Sequence, residues 1–290
     1  MPEAASPTVR RRRLAAELRR LRERAGLTGD QVAKRMGWST SKLSRIENAH
    51  TTPDPSEVQK LILLYGVEES YAGQLSTLAE EAARKGWWEA YGDVLPDTYA
   101  ALIGLEEEAT AAFGWMPDVV PGLLQTENYA REVIRTHMSS TRTIPPGEIE
   151  RRVQARITRQ QILKRNPPFD LNMVICESVL LRRIGSNPVM KLQLDHLLDV
   201  TQYSNISLRV LPLNASHPIG TGAFVLLKYN RVHDIAYHDI VYLEHLAGAM
   251  YLEDERDTFQ YLTAFENLFD SALDASSSRN IIAEKRKNWG

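Results

Sequence analysis

Thr40, Ser41, Lys42, Ser44 and Arg45 form a row of short hydroxyls and cations that meets no acid until Glu47. Donors at this density suit phosphate oxygens and the edges of bases, which is the chemistry of nucleic-acid contact. A surface helix with only a structural task more often carries Glu–Lys pairs at helical spacing. The apolar residues around the row, Val32, Ala33, Met36, Leu43 and Ile46, are spaced to face one core, so the polar row points away from it. Taken alone, the same stretch also reads as an ordinary helical hairpin.

The elements that position the row are marked by their ends. Thr28 with Gln31 is a capping-box pair that starts one helix, and Gly37 is free to take the positive φ that ends it. Ser39 caps the next helix, and Ala33 is small enough for two helices to cross steeply. Leu14, Leu18 and Leu21 make an apolar stripe on a preceding helix; Val58, Leu61, Ile62 and Tyr65 make one on a following helix, after the breaks at Pro53 and Pro55. Residues 10–66 therefore predict four or five short helices around one small core.

Through Leu27-Thr28, Val32-Ala33, Met36-Gly37 and Leu43-Ser44-Arg45-Ile46-Glu47-Asn48, this region resembles the Cro/CI-type (XRE) helix-turn-helix family. The resemblance implies double-stranded DNA as partner, with Ser39–Asn48 as the recognition helix. Thr40, Ser41 and Ser44, with Lys42 and Arg45, match family positions that approach base edges. Thr28 and the backbone at Gly29 match positions that hold a phosphate at a helix start. Gln31, Ser39 and Asn48 complete the DNA-binding set. Arg22 and Glu47 match a pair in which an arginine on the first helix braces the recognition helix. Gly29 departs from the pattern, standing where many relatives carry a glutamine.

Charge divides the chain in the same place. Residues 1–60 hold 13 Lys and Arg against 7 Asp and Glu, while the remainder holds 22 against 30. A total of −2 thus conceals a basic head on an acidic body. Arg10, Arg11, Arg12 and Arg13 precede the first predicted helix, as a phosphate-contacting arm or as a solvated tail. The single cysteine, Cys176, lies in an apolar run and reads as core; it excludes an intramolecular disulfide framework. No apolar run approaches the ~20 residues of a membrane span, and no signal-peptide pattern opens the chain. The expected setting is the cytoplasm, at the nucleoid.

Beyond the head, residues 68–86 predict a linker helix, and Gly86-Trp87-Trp88 marks a boundary. Helices are expected over 97–113, 127–138 and 148–165. The runs 171–176, 206–211, 224–229 and 240–246 carry the β-branched and aromatic residues of strands, with helices at 188–201 and 254–273. The expected fold is an all-α helix-turn-helix head followed by a larger α+β domain with a mostly antiparallel sheet. The expected division is a disordered 1–9, a head over 10–67, the linker helix, a regulatory and dimerisation domain over 87–275, and a C-terminal tail over 276–290.

The body also resembles a family. Trp87-Trp88, Tyr91, Val120-Pro121-Gly122-Leu123-Leu124-Gln125-Thr126-Glu127, Arg151-Arg152 with Arg156 and Gln160, Val210-Leu211-Pro212 and Val241-Tyr242-Leu243-Glu244 occur in the order found in the large C-terminal domain of WhiJ-like and antitoxin-like bacterial regulators. The resemblance implies regulation, and a small companion protein encoded nearby, without supplying a ligand.

Enzymatic constellations are weak. No Gly-x-Ser-x-Gly elbow, His-Glu-x-x-His pair or Gly-x-x-x-x-Gly-Lys loop occurs. His233, His238 and His245 with Asp234, Asp239 and Glu244 are metal-capable, but the spacing of His238 and His245 puts them on opposite faces of one strand. Gly220-Thr221-Gly222 and His217-Pro218 read as turns. No catalytic residue, metal or cofactor is expected. Trp87, Trp88, Tyr91 and Trp115 read either as core anchors or as a surface for a partner or ligand. Arg152, Arg156 and Arg159 share a helix face, either to meet an acidic partner or anion or to pair with Glu106–Glu108. The expected function is a sequence-specific transcriptional regulator, a repressor in the first instance, acting as a homodimer on a two-fold operator. The alternative is an antitoxin-like module whose main task is to sequester a companion protein.

Overall fold

Three of the short N-terminal helices start on a residue whose side chain caps them, and two of those end on a glycine of positive φ. In the computed structural model, residues 9–139, 145–216, 222–230, 238–245 and 248–290 are described. Helix α1 spans Val9–Arg24. Helix α2, Gly29–Met36, starts at the Thr28–Gln31 capping box and stops at Gly37, whose φ is 68°. Ser39 caps α3, Thr40–Glu47, and the Asp54–Glu57 capping box with Pro55 starts α4, Pro55–Tyr65. Helix α5 covers Glu69–Ala83, and after one 3₁₀ turn at Trp87–Tyr91 comes α6, Asp97–Glu108.

Leu14, Leu18, Val32, Leu43, Ile46, Val58 and Leu61 meet in one buried cluster, joined by Leu75, Leu78, Ala79 and Ala82 of α5. The segment expected as a linker helix is therefore part of the head: its apolar face has no other core to enter. Among the described residues, those up to Gly92 and Pro96–Glu108 form a first unit. Asp93–Leu95, those from Ala109 to Asn230 and those from His238 to Gly290 form a second. The boundary expected at residue 87 consequently falls later in the chain, after α6.

The second unit is built on a six-stranded mixed sheet in the order β3-β2-β1-β4-β5-β6. Its strands are β1 Ala111–Met116, β2 Asp170–Cys176, β3 Ile206–Leu211, β4 Phe224–Lys228, β5 Ile240–His245 and β6 Gly248–Leu252. β1, β2 and β3 run parallel, whereas β1–β4, β4–β5 and β5–β6 pair antiparallel. Parallel neighbours require crossovers. These carry α7 Glu127–Ser139 and α8 Pro146–Arg159 before β2, then α9 Ser178–Leu181 and α10 Asn187–Val200 before β3. Helix α11, Glu255–Ser271, lays Phe265 and Leu268 on the sheet face formed by Trp115, Val174, Phe224, Leu226 and Val241.

Two strands escape the sequence reading. β1 was expected as the end of a helix, and β6 was not expected at all. Residues 276–290, expected as a tail, belong to the unit's body. Helix α12, Ala275–Arg286, buries Ser278 and Ile282, and Trp289 donates its indole N–H to the Leu180 carbonyl at 3.1 Å. The amide of Val210 on β3 donates to Ser278 Oγ at 3.0 Å, and the Leu273 amide donates to the Val210 carbonyl at 2.9 Å. α12 thus covers polar backbone on the outer side of an edge strand. Of the stretch expected to be disordered at 1–9, residues 1–8 lie outside the described residues and Val9 begins α1; the turn and metal candidates His217, Pro218, Gly220, Thr221, His233 and Asp234 also lie outside them.

Candidate nucleic-acid interface

Recognition by a helix requires that one face be held and another be offered. α3 buries Leu43 and Ile46 and exposes Thr40, Ser41, Ser44 and Arg45. The exposed residues fall into two rows at helical spacing. Ser41 and Arg45 form one. Thr40, Ser44 and Asn48 form the other, bordering a polar depression of about 360 Å³ whose remaining walls are Arg19, Arg22, Gly29, Asp30, Leu43 and Glu47. Asn48 closes the end of α3, donating its amide to the Ser44 carbonyl at 2.8 Å and lying 3.3 Å from the Ser44 hydroxyl. Arg19 is an addition to the sequence-derived set; one turn before Arg22, it had no pattern of its own to mark it.

The turn into α3 is made by local bonds. The Trp38 amide donates to the Ala33 carbonyl at 2.8 Å, and Ser39 Oγ accepts from the Lys42 amide at 3.2 Å. Thr28 and Gln31 satisfy each other's amides at 3.3 and 2.9 Å. Their side chains are thus occupied in capping, although both are exposed. The first amides of α2, at Gly29 and Asp30, are left without partners inside the helix, as at any helix start.

Two ion pairs anchor α3 to its own unit. Arg22 on α1 donates from Nε and Nη2 to Glu47 at 2.7 and 3.0 Å, and from Nη1 to the Leu27 carbonyl at 3.0 Å. This fork matches the geometry of a carboxylate, and both side chains are largely buried. At the other end, Lys42 Nζ meets Glu57 Oε1 at 2.5 Å and sits 4.4 Å from the Trp38 ring centroid. Lys42, expected at the base edges, is instead turned toward α4, because an acid and an aromatic ring lie within its reach there. Sequence reasoning missed Glu57 and Trp38. The Asp54–Glu57 capping spacing and the Trp38–Lys42 helical spacing were the signals.

Arg10–Arg13 form no extended arm; they are the first turns of α1, where consecutive helix formers find acids alongside. Arg10 pairs with Glu81 at 3.6 Å and Glu108 at 3.4 Å. Arg11 pairs with Glu89 at 3.5 Å and donates to the Ala82 carbonyl at 3.2 Å. Burial pushes the Glu108 carboxyl up to about 7, with Arg10 acting in the opposite sense.

The aromatic candidates separate. Trp87 donates to Glu107 at 2.7 Å and packs edge-on against Trp88 and Tyr91, all three half-buried in the first unit. Trp115 lies on β1, wholly buried in the core of the second unit, and presents no surface to a partner. A strand at the centre of a sheet has both faces covered, which is where so large an apolar ring is placed.

The arginine face of α8 is also largely inward. Arg152 pairs with Glu148 at 2.8 Å, Arg156 donates to Gln125 at 2.8 Å, and Arg159 is buried. Arg156 thereby helps to hold the Val120–Glu127 segment. Gln125 itself donates to the Val120 carbonyl at 2.7 Å, Gln160 donates to the Gln125 carbonyl at 2.7 Å, and buried Gln193 accepts from the Thr126 amide at 2.7 Å. Among the described residues, no three or more His, Cys, Asp or Glu are grouped to hold a metal ion, and no helix is long and apolar enough to cross a membrane.

Comparison with known proteins places both units. Residues 13–71 match a helix-turn-helix domain, and residues 99–284 match a domain of unknown function, DUF5753. No curated protein and no solved structure matches the chain. The second match extends over more than half of the chain, so this protein belongs to the DUF5753 family, with a helix-turn-helix DNA-binding domain ahead of it.

Proposed function

We propose that the protein is a sequence-specific transcriptional regulator of the XRE type, a repressor of its own gene, with α3 entering the DNA major groove. One observation carries the reading: α3 is anchored by ion pairs to α1 and α4 while Ser41, Arg45, Thr40 and Ser44 remain exposed. A rigid helix offering donors is what base readout needs. So small a head buries little DNA surface, so it acts as a homodimer on a two-fold operator with half-sites about one helical turn apart. The DUF5753 unit has a regulatory role, not a catalytic one, supplying the dimer contact and responding to a small companion protein or ligand in the cytoplasm.

Selection of genomic fragments on the purified protein at moderate salt tests this. A short two-fold motif near its own gene, lost in a Ser41→Ala/Arg45→Ala variant, is the expected result. Retention of DNA without a shared motif would remove sequence-specific regulation and leave the protein-sequestering role. Sedimentation of a monomer both free and on the selected site would remove the dimer.

A further inference from the structure

Lys42 is the one cation on α3 that the fold has turned aside. It stands one turn before Arg45, at i, i+3, and so beside the exposed row. Its ammonium is held by Glu57 Oε1 at 2.5 Å and lies over the Trp38 ring. Glu57 has no slack to follow it elsewhere, because its second oxygen accepts from the Asp54 amide at 3.1 Å in the capping box of α4. A lysine on a recognition helix adds a phosphate contact that is indifferent to sequence. Here that contact is withheld by an acid from a neighbouring helix.

We propose that Glu57 sets the sequence-independent share of DNA binding by keeping the Lys42 cation away from the phosphate backbone. The inference rests on α3 being the recognition helix and adds a positioning residue that makes no contact with DNA itself. Releasing Lys42 adds one phosphate contact, which steepens the log–log salt dependence by about 0.9; between 50 and 200 mM salt this is an additional loss of about threefold.

The test is a double-mutant cycle on the full-length protein, read as salt dependence of binding to random duplex DNA and to the selected site. Glu57→Gln keeps an acceptor for the Asp54 amide, so α4 retains its cap. Expected are tighter binding to both DNAs and a slope steeper by about 0.9 in Glu57→Gln, little change in slope in Lys42→Gln, and no effect of Glu57→Gln once Lys42 is glutamine. A Lys42→Gln variant that alone flattens the slope by about 0.9 would overturn the inference, since Lys42 would already be on a phosphate. Persistence of the Glu57→Gln effect in the Lys42→Gln background would also overturn it, because removal of a negative charge would then suffice. If wild type and Arg45→Ala retain DNA identically and without a motif, the recognition-helix reading falls first, and this inference falls with it.

Discussion

Arg45 and Glu47 stand two positions apart on α3 yet serve different ends, because one is exposed and the other is gripped by Arg22. Arg45→Ala is expected to cost about 1–3 kcal/mol against the selected site and to relax base choice at one position, with no change in thermal stability. Binding to single-base variants of the site measures this. Glu47→Ala leaves Arg22 buried without its partner and is expected to lower the head's stability by about 3 kcal/mol, seen in denaturant melts. An unchanged midpoint would show that the pair does not brace the helix. Glu108 supplies a pH dependence. Its folded value of about 7 lies above the ordinary 4.5, so the folded state holds the extra proton between the two. The resulting stabilisation is complete below about pH 4.5 and is lost as pH rises through 7, on the order of 3 kcal/mol. Thermal melts from pH 5 to 8 should fall for the wild type and stay nearly level for Glu108→Gln.

Elements are decided by backbone conformation and by neighbours. Gly37 and Gly73 have equally empty surroundings, but only Gly37 has a positive φ. Gly37→Ala is expected to cost about 1 kcal/mol through the left-handed backbone. Gly73→Ala, within α5, is expected to stabilise by up to about 1 kcal/mol. Opposite shifts of the head's melting temperature check the contrast. Gly114 is different again: a Cβ there would lie 2.7 Å from Met173 Cε and 2.9 Å from the Phe224 carbonyl oxygen. Gly114→Ala should force β1 away from its neighbours and cost about 1–3 kcal/mol in the second unit. The small residues that this close approach requires also explain why β1 was illegible. Ala111-Ala112-Phe113-Gly114 has weak strand preference and continues the α6 pattern. It becomes a strand because β2 and β4 pair with it on both sides. By contrast β2, β3, β4 and β5 were legible in their Val-, Ile- and Leu-rich runs.

For the molecule as a whole, the useful division lies after α6 and not before Trp87. A chain ended at Gly66 removes Leu75, Leu78, Ala79 and Ala82 from the core of the head, and each buried leucine contributes about 1.5–3 kcal/mol. The truncated head is expected to melt without a cooperative transition, whereas a chain carried through Glu108 should melt cooperatively. Circular dichroism of the two fragments decides between a head that includes α5 and one that needs only four helices. The charge asymmetry acts at this scale too. Of the basic residues near the N-terminus, Arg10 and Arg11 are paired with acids of the first unit, so net charge overstates what the head offers to DNA.

Much of what depends on neighbours in sequence was readable in advance, although the Asp54–Glu57 capping box was not read. The caps at Thr28, Gly37 and Ser39, the polar row of α3 and the β-branched strands follow from propensities and spacings acting over a few residues. The Arg22–Glu47 fork was expected only through the family resemblance. What required the folded chain was every property set by contacts distant in sequence. Lys42 turned aside by Glu57, Trp115 enclosed in the sheet, Arg10 and Arg11 drawn onto acids of α5, α6 and the 3₁₀ turn between them, and α12 covering the edge of β3 are of this kind. In each case the side chain or segment has a local preference compatible with several roles, and burial against a remote partner selects one of them.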